Sequence, residues 1–502
     1  MSRGAKRVKL SVDLPKRKSG ILMALSSLPS NHGIGTLGAE AYRFIDMLSD
    51  TNQTYWQLLP LVPLGAGNSP YKSPSCFAGE PLYIDLDFLA RDGLLSYSDI
   101  LNADFPENAD FDLVRRYKTP LIRKAAENFD TDNDDYKIFL AENEFWLKPY
   151  AVFMTALKVF GTSHILGLPD YIKRRTGEDY RDFLDFNKRE IELFGIIQYF
   201  FYAQYFELKR YAESKSILLI GDIPFYVSED SADVWANPEN FLVGEDLKPK
   251  LVAGVPPDYF SEKGQLWGNP IYDFDFQKKD DYDWWIKRLS FSFRLFDVVR
   301  VDHFRAFADY YCIKAGSLDA MSGEWKTGVG LDFWKTAHEK IPGMAIIAED
   351  LGVMTEAVTN LVKDTGFPNM RVIQFAFSGD PNNPHLPSNY PENCVCYTGT
   401  HDNNTTLGFI ENALPFELEM INRLFPATED FPPPLNLIAG AMASSADTVI
   451  VPIQDYLMLG EEYRMNIPGV PSGNWAFRVK KDYITEELKE RIKKIARLTG
   501  RE

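Results

Sequence analysis

Residues 297–307 read DVVRVDHFRAF, and this stretch decides the fold. Near-continuous β-branched residues run into an aspartate, the pattern of a strand buried on both faces that ends at a polar group. Working outward, the pattern recurs upstream in ILMAL (21–25), YWQLLPL (55–61) and ILLIGD (217–222). Downstream it recurs in MAIIAED (344–350), RVIQFAF (371–377), CVCYTGTHD (394–402) and TVIVPIQD (448–455). Helical periods lie between several of these runs, around 283–296 and from Asp332 to Lys340. Alternation of strand and helix implies an α/β fold with a parallel sheet. Eight strands are the number that closes a (β/α)₈ TIM barrel, which is the predicted architecture.

The second and third runs are separated by about 150 residues, far more than a βα loop holds. Amphipathic stretches at 110–127, 144–159 and 187–214 predict a mostly helical insertion there, roughly 85–212. A second insertion, roughly 225–280, is rich in Pro, Gly and aromatics and reads as an ordered loop region. Past the eighth run, Thr485 can cap a last helix, with Glu486 and Glu487 in its first turn and Gly500 closing it. Residues 19–502 therefore read as a single catalytic domain.

Residues 1–18 carry Arg3, Lys6, Arg7, Lys9, Lys16, Arg17 and Lys18 against the lone acid Asp13. They read as a basic flexible tail with no apolar segment of a secretory signal behind it. A nuclear or organelle address is the alternative reading. The chain as a whole is acidic, 71 Asp plus Glu against 54 Lys plus Arg, a net charge of −17. That balance argues against nucleic acid as a partner. No stretch approaches about 20 apolar residues, so no membrane partner is expected. The best candidate, Phe194 to Phe206, is short and broken by Gln198 and Gln204. Four cysteines in 502 residues make no disulfide framework. Buried free thiols suit a reducing compartment, so a cytoplasmic location is expected, or a plastid if the tail is an address remnant. Metal-ligand spacings are lacking and no cofactor is expected.

The informative feature is where the carboxylates fall. Asp222, Asp302, Glu349 and Asp402 each sit at the end of a predicted strand. In a (β/α)₈ barrel those ends surround the active site. Capping of the following helix is a fair alternative for Asp222, but a poor one for Asp302, flanked by Arg300, His303 and Arg305. Paired carboxylates at a barrel mouth suggest glycoside chemistry, in which one attacks the anomeric carbon and the other protonates the leaving oxygen. Arg300 shares a strand face with Asp302 and would keep the attacker charged. Glu349, with a carboxylate beside it, would hold its proton more tightly. Asp350 alternates to the other face and is the weaker candidate. Two flanking segments suit a sugar: NSPYKSPS (68–75), with Tyr71, and PPDYFSEKGQLWGNP (256–270), with Asp258, Tyr259, Phe260, Gln265, Trp267 and Asn269.

With these residues in view, the sequence resembles the 4-α-glucanotransferases (amylomaltase, or disproportionating enzyme) of the α-amylase clan. The likeness runs from SGILMALSSLPSNHGIGTLG (19–38) to RMNIPGVPSGNW (464–475). It includes GDIPFYVSEDSADVW, RVDHFRAF, IIAEDLG and GTHDNNTT in that order. The resemblance implies that Asp302 is the nucleophile, Glu349 the general acid/base and Asp402 a third carboxylate gripping sugar hydroxyls. It implies that Arg300 orients the nucleophile, and that Asp222 and His401 bind the sugar being transferred. Tyr71, Tyr259, Phe260, Gln265, Trp267 and Asn466 match substrate-binding positions. The family commonly has Gly where this chain has Ala306. It also lacks the C-terminal β-sandwich of α-amylases, and none is expected here.

The implied reaction is retaining transfer of an α-1,4-glucan segment to the 4-hydroxyl of an acceptor. Maltooligosaccharides and starch- or glycogen-derived α-glucans would be the substrates. The same carboxylates would serve an α-glucan hydrolase, so that reading stays open, as does an inactive glucan-binding protein. Transfer must outcompete bulk water, which well-oriented acceptors can do at effective molarities of about 10⁵ M or more. The aromatic pair Tyr259 and Phe260 is the expected water shield.

Overall fold

In the computed structural model, which describes residues 10–100, 103–257, 262–352 and 354–502, each of the eight apolar runs overlaps a strand. In chain order the strands are β1 (Lys18–Leu22), β2 (Tyr55–Gln57), β3 (Leu218–Ile223), β4 (Leu251–Val255), β5 (Gln265–Pro270) and β6 (Val298–Val301). There follow β7 (Asp309–Lys314), β8 (Glu324–Thr327), β9 (Ile346–Ala348), β10 (Asn369–Val372), β11 (Cys394–Tyr397) and β12 (Thr448–Pro452). Strands β1, β2, β3, β6, β9, β10, β11 and β12 close a barrel in that order, β12 pairing back on β1. Every pairing in it is parallel. The fold is the (β/α)₈ barrel.

Burial on both faces explains the apolar runs. All four residues of β6 are buried, Arg300 among them. Gly20 marks a close approach of β1 to β2: a Cβ there would lie 2.4 Å from the Tyr55 Cβ. The run at 371–377 is a strand only to Val372, then turns into a short 3₁₀ helix, Ile373–Phe375.

Between β2 and β3 the chain builds helices at Phe111–Glu127, Asp134–Phe160, Glu178–Phe186 and Lys188–Ser214. Asp110 and Asn133 cap the first two, accepting from the amides of Leu113 and Tyr136. The two glutamines that interrupt the apolar stretch 194–206 are buried ties. Gln198 accepts from the Gly79 amide at 2.7 Å and donates to the Gly79 carbonyl at 2.9 Å. Gln204 makes the same pair with Asp85, at 2.7 and 3.1 Å. Each side-chain amide thus satisfies one backbone unit that the core would otherwise orphan. They fasten the helix to the chain that follows the Tyr71 loop.

The stretch 225–280 differs from the expected loop region. It contains β4 and β5, which join β7 and β8 in an antiparallel sheet ordered β5-β4-β7-β8. Half of that sheet comes from beyond β6, so pairing partners lie too far away in sequence for local patterns to reveal them. The basic tail also ends earlier than expected. Leu10 and Ser11 are buried and the Val12 amide donates to the Met344 carbonyl, so the chain is packed from residue 10 on. Residues 1–9 lie outside the described residues.

Thr485 caps the last helix, Glu486–Leu498, by accepting from the Leu488 amide, and Gly500 takes φ +65° just past its end. Among the described residues no strand follows β12, and no helix is long and apolar enough to cross a membrane. The four cysteines are free thiols.

Candidate active site

The site is assembled at the C-terminal ends of β3, β6, β9 and β11. Asp222 on β3 lies in register with Arg300 on β6. Arg300 Nη1 donates to both Asp222 oxygens at 2.7 Å and stands 3.0 Å from Asp302 Oδ1. Burial works against the guanidinium charge, but Asp222 and Asp302 outweigh it and hold the pKa well above the ordinary arginine value. That pairing explains how an arginine can sit inside a barrel strand. Asp222 caps no helix. Its side chain has no exposed surface, and its second partner is the Tyr71 hydroxyl, donating at 2.9 Å. Burial pushes the Asp222 carboxyl up, Arg300 opposing.

Asp302 and Glu349 leave neighbouring strands, each one residue beyond the paired Val301 and Ala348. The Asp302 side chain keeps 30% of its surface exposed, so it is reachable while ion-paired. Glu349 is buried, and both of its oxygens accept backbone amides, His303 at 2.7 Å and Leu351 at 2.8 Å. Burial, then the charge of Asp302, pushes its pKa up to about 7, against Arg300 and the two amides. The two carboxyls are therefore driven apart in character, one ion-paired and one able to carry a proton near neutrality. Asp350 points away, accepting from the Asn369 side chain and the Met370 amide.

His401 and Asp402 follow β11. His401 is buried and stacks on Tyr71, centroids 5.1 Å apart and planes at 18°. The Asp402 side chain is 47% exposed; Oδ1 accepts from Asn466 Nδ2 at 2.6 Å and lies 3.5 Å from His401 Nε2. Arg464 donates to its carbonyl, and the Asn466 amide to that of His401. Tyr71, Asp222, Arg300, Asp302, Glu349, His401, Asp402 and Asn466 thus form one connected cluster at the barrel mouth.

Trp267 reaches the cluster from the antiparallel sheet. Its ring meets His303 edge-on at 4.9 Å, and its Nε1 donates to Gln265. Asn269 instead donates to the Val227 carbonyl, a structural tie. Tyr259, Phe260 and Asp258 lie outside the described residues. Sequence reading missed Trp475, which packs on Tyr71 and His401 at 5.7 and 5.9 Å. It missed Tyr226 beside His303 as well. Their signal was slight: Trp475 lies inside RMNIPGVPSGNW, a quoted motif, and Tyr226 inside GDIPFYVSEDSADVW.

A separate group, His32, Asp85 and Asp87, has ligand-type atoms within 4.8 Å of one another. Asp85 already accepts from Thr36 and the Phe88 amide, and the buried Lys118 ammonium supplies positive charge nearby. His32, Asp85 and Asp87 line a cavity of about 1100 Å³ whose lining includes none of the three mouth carboxylates Asp302, Glu349 and Asp402.

The chain as a whole also resembles known proteins. The sequence model of glycoside hydrolase 77, described as 4-alpha-glucanotransferase, matches residues 23–485. The chain is similar to the 4-alpha-glucanotransferase of Clostridium butyricum, 42% identical over 485 residues that cover 95% of this chain and 100% of that one. The Aquifex aeolicus 4-alpha-glucanotransferase is also 42% identical, over 97% of this chain and 100% of its own. Among solved structures, an amylomaltase from Streptococcus agalactiae in complex with acarbose superposes with a TM-score of 0.94 at 38% identity, covering 97% of this chain and 100% of that one.

Proposed function

The chain belongs to the glycoside hydrolase 77 family of 4-alpha-glucanotransferases and is an enzyme of that activity, and from that premise we propose how its residues carry the transfer. Asp302 attacks the anomeric carbon of an α-1,4-linked donor while Glu349 gives its proton to the leaving glycosidic oxygen. The shortened donor departs and a glucosyl ester remains on Asp302. Glu349, now ionised, takes the proton of an acceptor 4-hydroxyl as that oxygen displaces Asp302, and the configuration is retained.

Arg300 holds the nucleophile in place, itself held by the buried Asp222. Asp402, steadied by Asn466, grips hydroxyls of the reacting sugar, and His401 with Tyr71 lines the same subsite. Trp267 and Gln265 present an aromatic face and an amide to neighbouring glucose units. Donors and acceptors are maltooligosaccharides and longer α-glucans, and the enzyme works in the cytoplasm, where its four free thiols stay reduced. The observation that carries the assignment is the pair itself: two carboxyls on adjacent strand ends, one ion-paired and the other raised to about 7.

Incubation with maltotriose tests the reading. Transfer yields glucose together with maltooligosaccharides longer than the substrate. A profile containing only shorter products would establish hydrolysis instead. We assign the exclusion of water to Phe260, on its sequence context alone. Phe260→Ser should raise the ratio of hydrolysis to transfer several-fold in the same assay, and an unmoved ratio removes that role.

A further inference from the structure

The residue after the nucleophile adopts an unusual backbone. His303 has φ 51° and ψ 42°, the left-handed region, which is sterically disfavoured for a non-glycine residue. The turn lies just past β6, where two consecutive amides meet one partner, and it sets the direction of the second. The His303 amide donates to Glu349 Oε2 at 2.7 Å, and the Phe304 amide to the Glu349 carbonyl at 3.1 Å. The carbonyl of His303 then accepts from the Ala306 amide, opening the short helix Phe304–Phe307. The φ and ψ of residue 303 orient the peptide that follows it, so an extended or right-handed residue there would turn the Phe304 amide away from the Glu349 carbonyl and loosen residue 349 from the 303 amide.

The imidazole is placed to hold that turn. It packs edge-on against Trp267 at 4.9 Å and lies 6.1 Å from Tyr226. Burial first, then the positive charge of Arg305, lowers its pKa to about 3 against the opposing Asp309, so the ring is neutral across the working range. It is therefore a poor proton carrier and a good wedge.

We propose that His303 is a positioning residue for the reaction: its left-handed backbone, held by the packing of its ring on Trp267 and Tyr226, turns the Phe304 amide onto the Glu349 carbonyl, which pins residue 349 beside the 303 amide and fixes the direction of the acid's carboxyl. The proposal rests on the assignment of Glu349 as the general acid/base. The strained turn thereby has a task, since the conformation that costs stability delivers the hydrogen bond that pins the acid's backbone. It also ties the antiparallel sheet to the chemistry, because Trp267 on β5 touches the ring that holds the turn.

The test compares substitutions that differ in backbone preference. Glycine populates the left-handed region freely, and a β-branched residue resists it. His303→Gly loses the ring but keeps the turn accessible, so kcat should fall less than about fivefold. His303→Val should lower kcat about 30-fold or more, with a smaller change in KM, because the acid loses its direction. The pH profile of kcat/KM gives a readout that mere destabilisation does not move. The groups facing Glu349 are Asp302 and Arg300 together with the two amides. An amide donor favours the ionised carboxylate, so its loss moves the upper limb to higher pH, by about half a unit or more in His303→Val. That limb should stay in place in His303→Gly.

Equal losses in the two variants with an unmoved limb would overturn the proposal, as would a valine variant that behaves like the parent. If the valine variant does not fold, His303→Ala takes its place, since it lacks the same ring as glycine but not the backbone restriction. Glu349→Gln separates the two levels of the argument. An inactive glutamine variant beside an unmoved limb refutes the positioning role alone, while an active one refutes the acid assignment beneath it.

Discussion

The barrel buries one arginine at each end, and the two are held in opposite ways. At the C-terminal mouth, Arg300 is surrounded by carboxylates, bound to Asp222 and 3.0 Å from Asp302. At the N-terminal floor, Arg501 is fully buried among main-chain carbonyls: Met442, Lys18, Asp447, Ser444 and Ala446. Its hydrogen bonds all go to carbonyls, and burial, then the nearby Arg17, lowers its pKa to about 10 against the charge of Asp447. Arg501 joins the starts of β1 and β12 to the end of the chain, every donor satisfied by neutral oxygen. Arg300 organises an excess of negative charge and leaves one carboxylate open to a ligand. One end is built to stay closed, the other to react.

That contrast can be broken by substitution. The largest expected effect is at the mouth: Asp302→Asn should lower transfer at least about 10⁴-fold, since no covalent intermediate can form. Its melting temperature should hold or rise, because one charge leaves a crowded site. A variant with ordinary turnover would refute the nucleophile. At the floor, Arg501→Met should lose about 3 kcal/mol in denaturant unfolding, through several orphaned carbonyls. The turnover of its folded fraction should match the parent. A change in kcat at full folding would show that the two ends are not independent.

The smallest effect is the pH response. Glu349 acts as acid only when protonated, and its pKa is about 7. Transfer by the free enzyme should therefore fall as pH rises through about 7, and Arg501→Met should leave that limb in place. An upper limb near the ordinary glutamate value would show that the buried pair does not titrate as the structure arranges it.

The barrel was legible because a strand buried on both faces must be apolar along its length, and eight such runs appear in order. The acids that close these runs were legible for the same reason, since a charged residue interrupts an apolar run conspicuously, whether it lies past the strand as Asp302 does or inside it, buried against Arg300, as Asp222 does. Other features had no local signal. Gln198 and Gln204 looked like flaws in an apolar helix, and their partners lie 119 residues earlier. Asp222 read equally well as a helix cap until Arg300 appeared beside it. The antiparallel sheet escaped because β4 and β7 pair across an intervening barrel strand. Leu10, buried although it lies in a segment expected to be free, showed the same blindness to distant contacts.

By itself, then, the order of residues determined the alternation of strand and helix, the number of strands and the acids that end them. These are consequences of burial along a single strand, and burial leaves a local pattern. Only the tertiary structure decided which oxygen meets which nitrogen: that Arg300 serves Asp222 and Asp302 together, that the amides of residues 303 and 304 both meet Glu349, and that Asp402 rests on Asn466. Hydrogen bonds and ion pairs depend on ångström-scale placement across distant segments, and no period or spacing in one dimension encodes that distance.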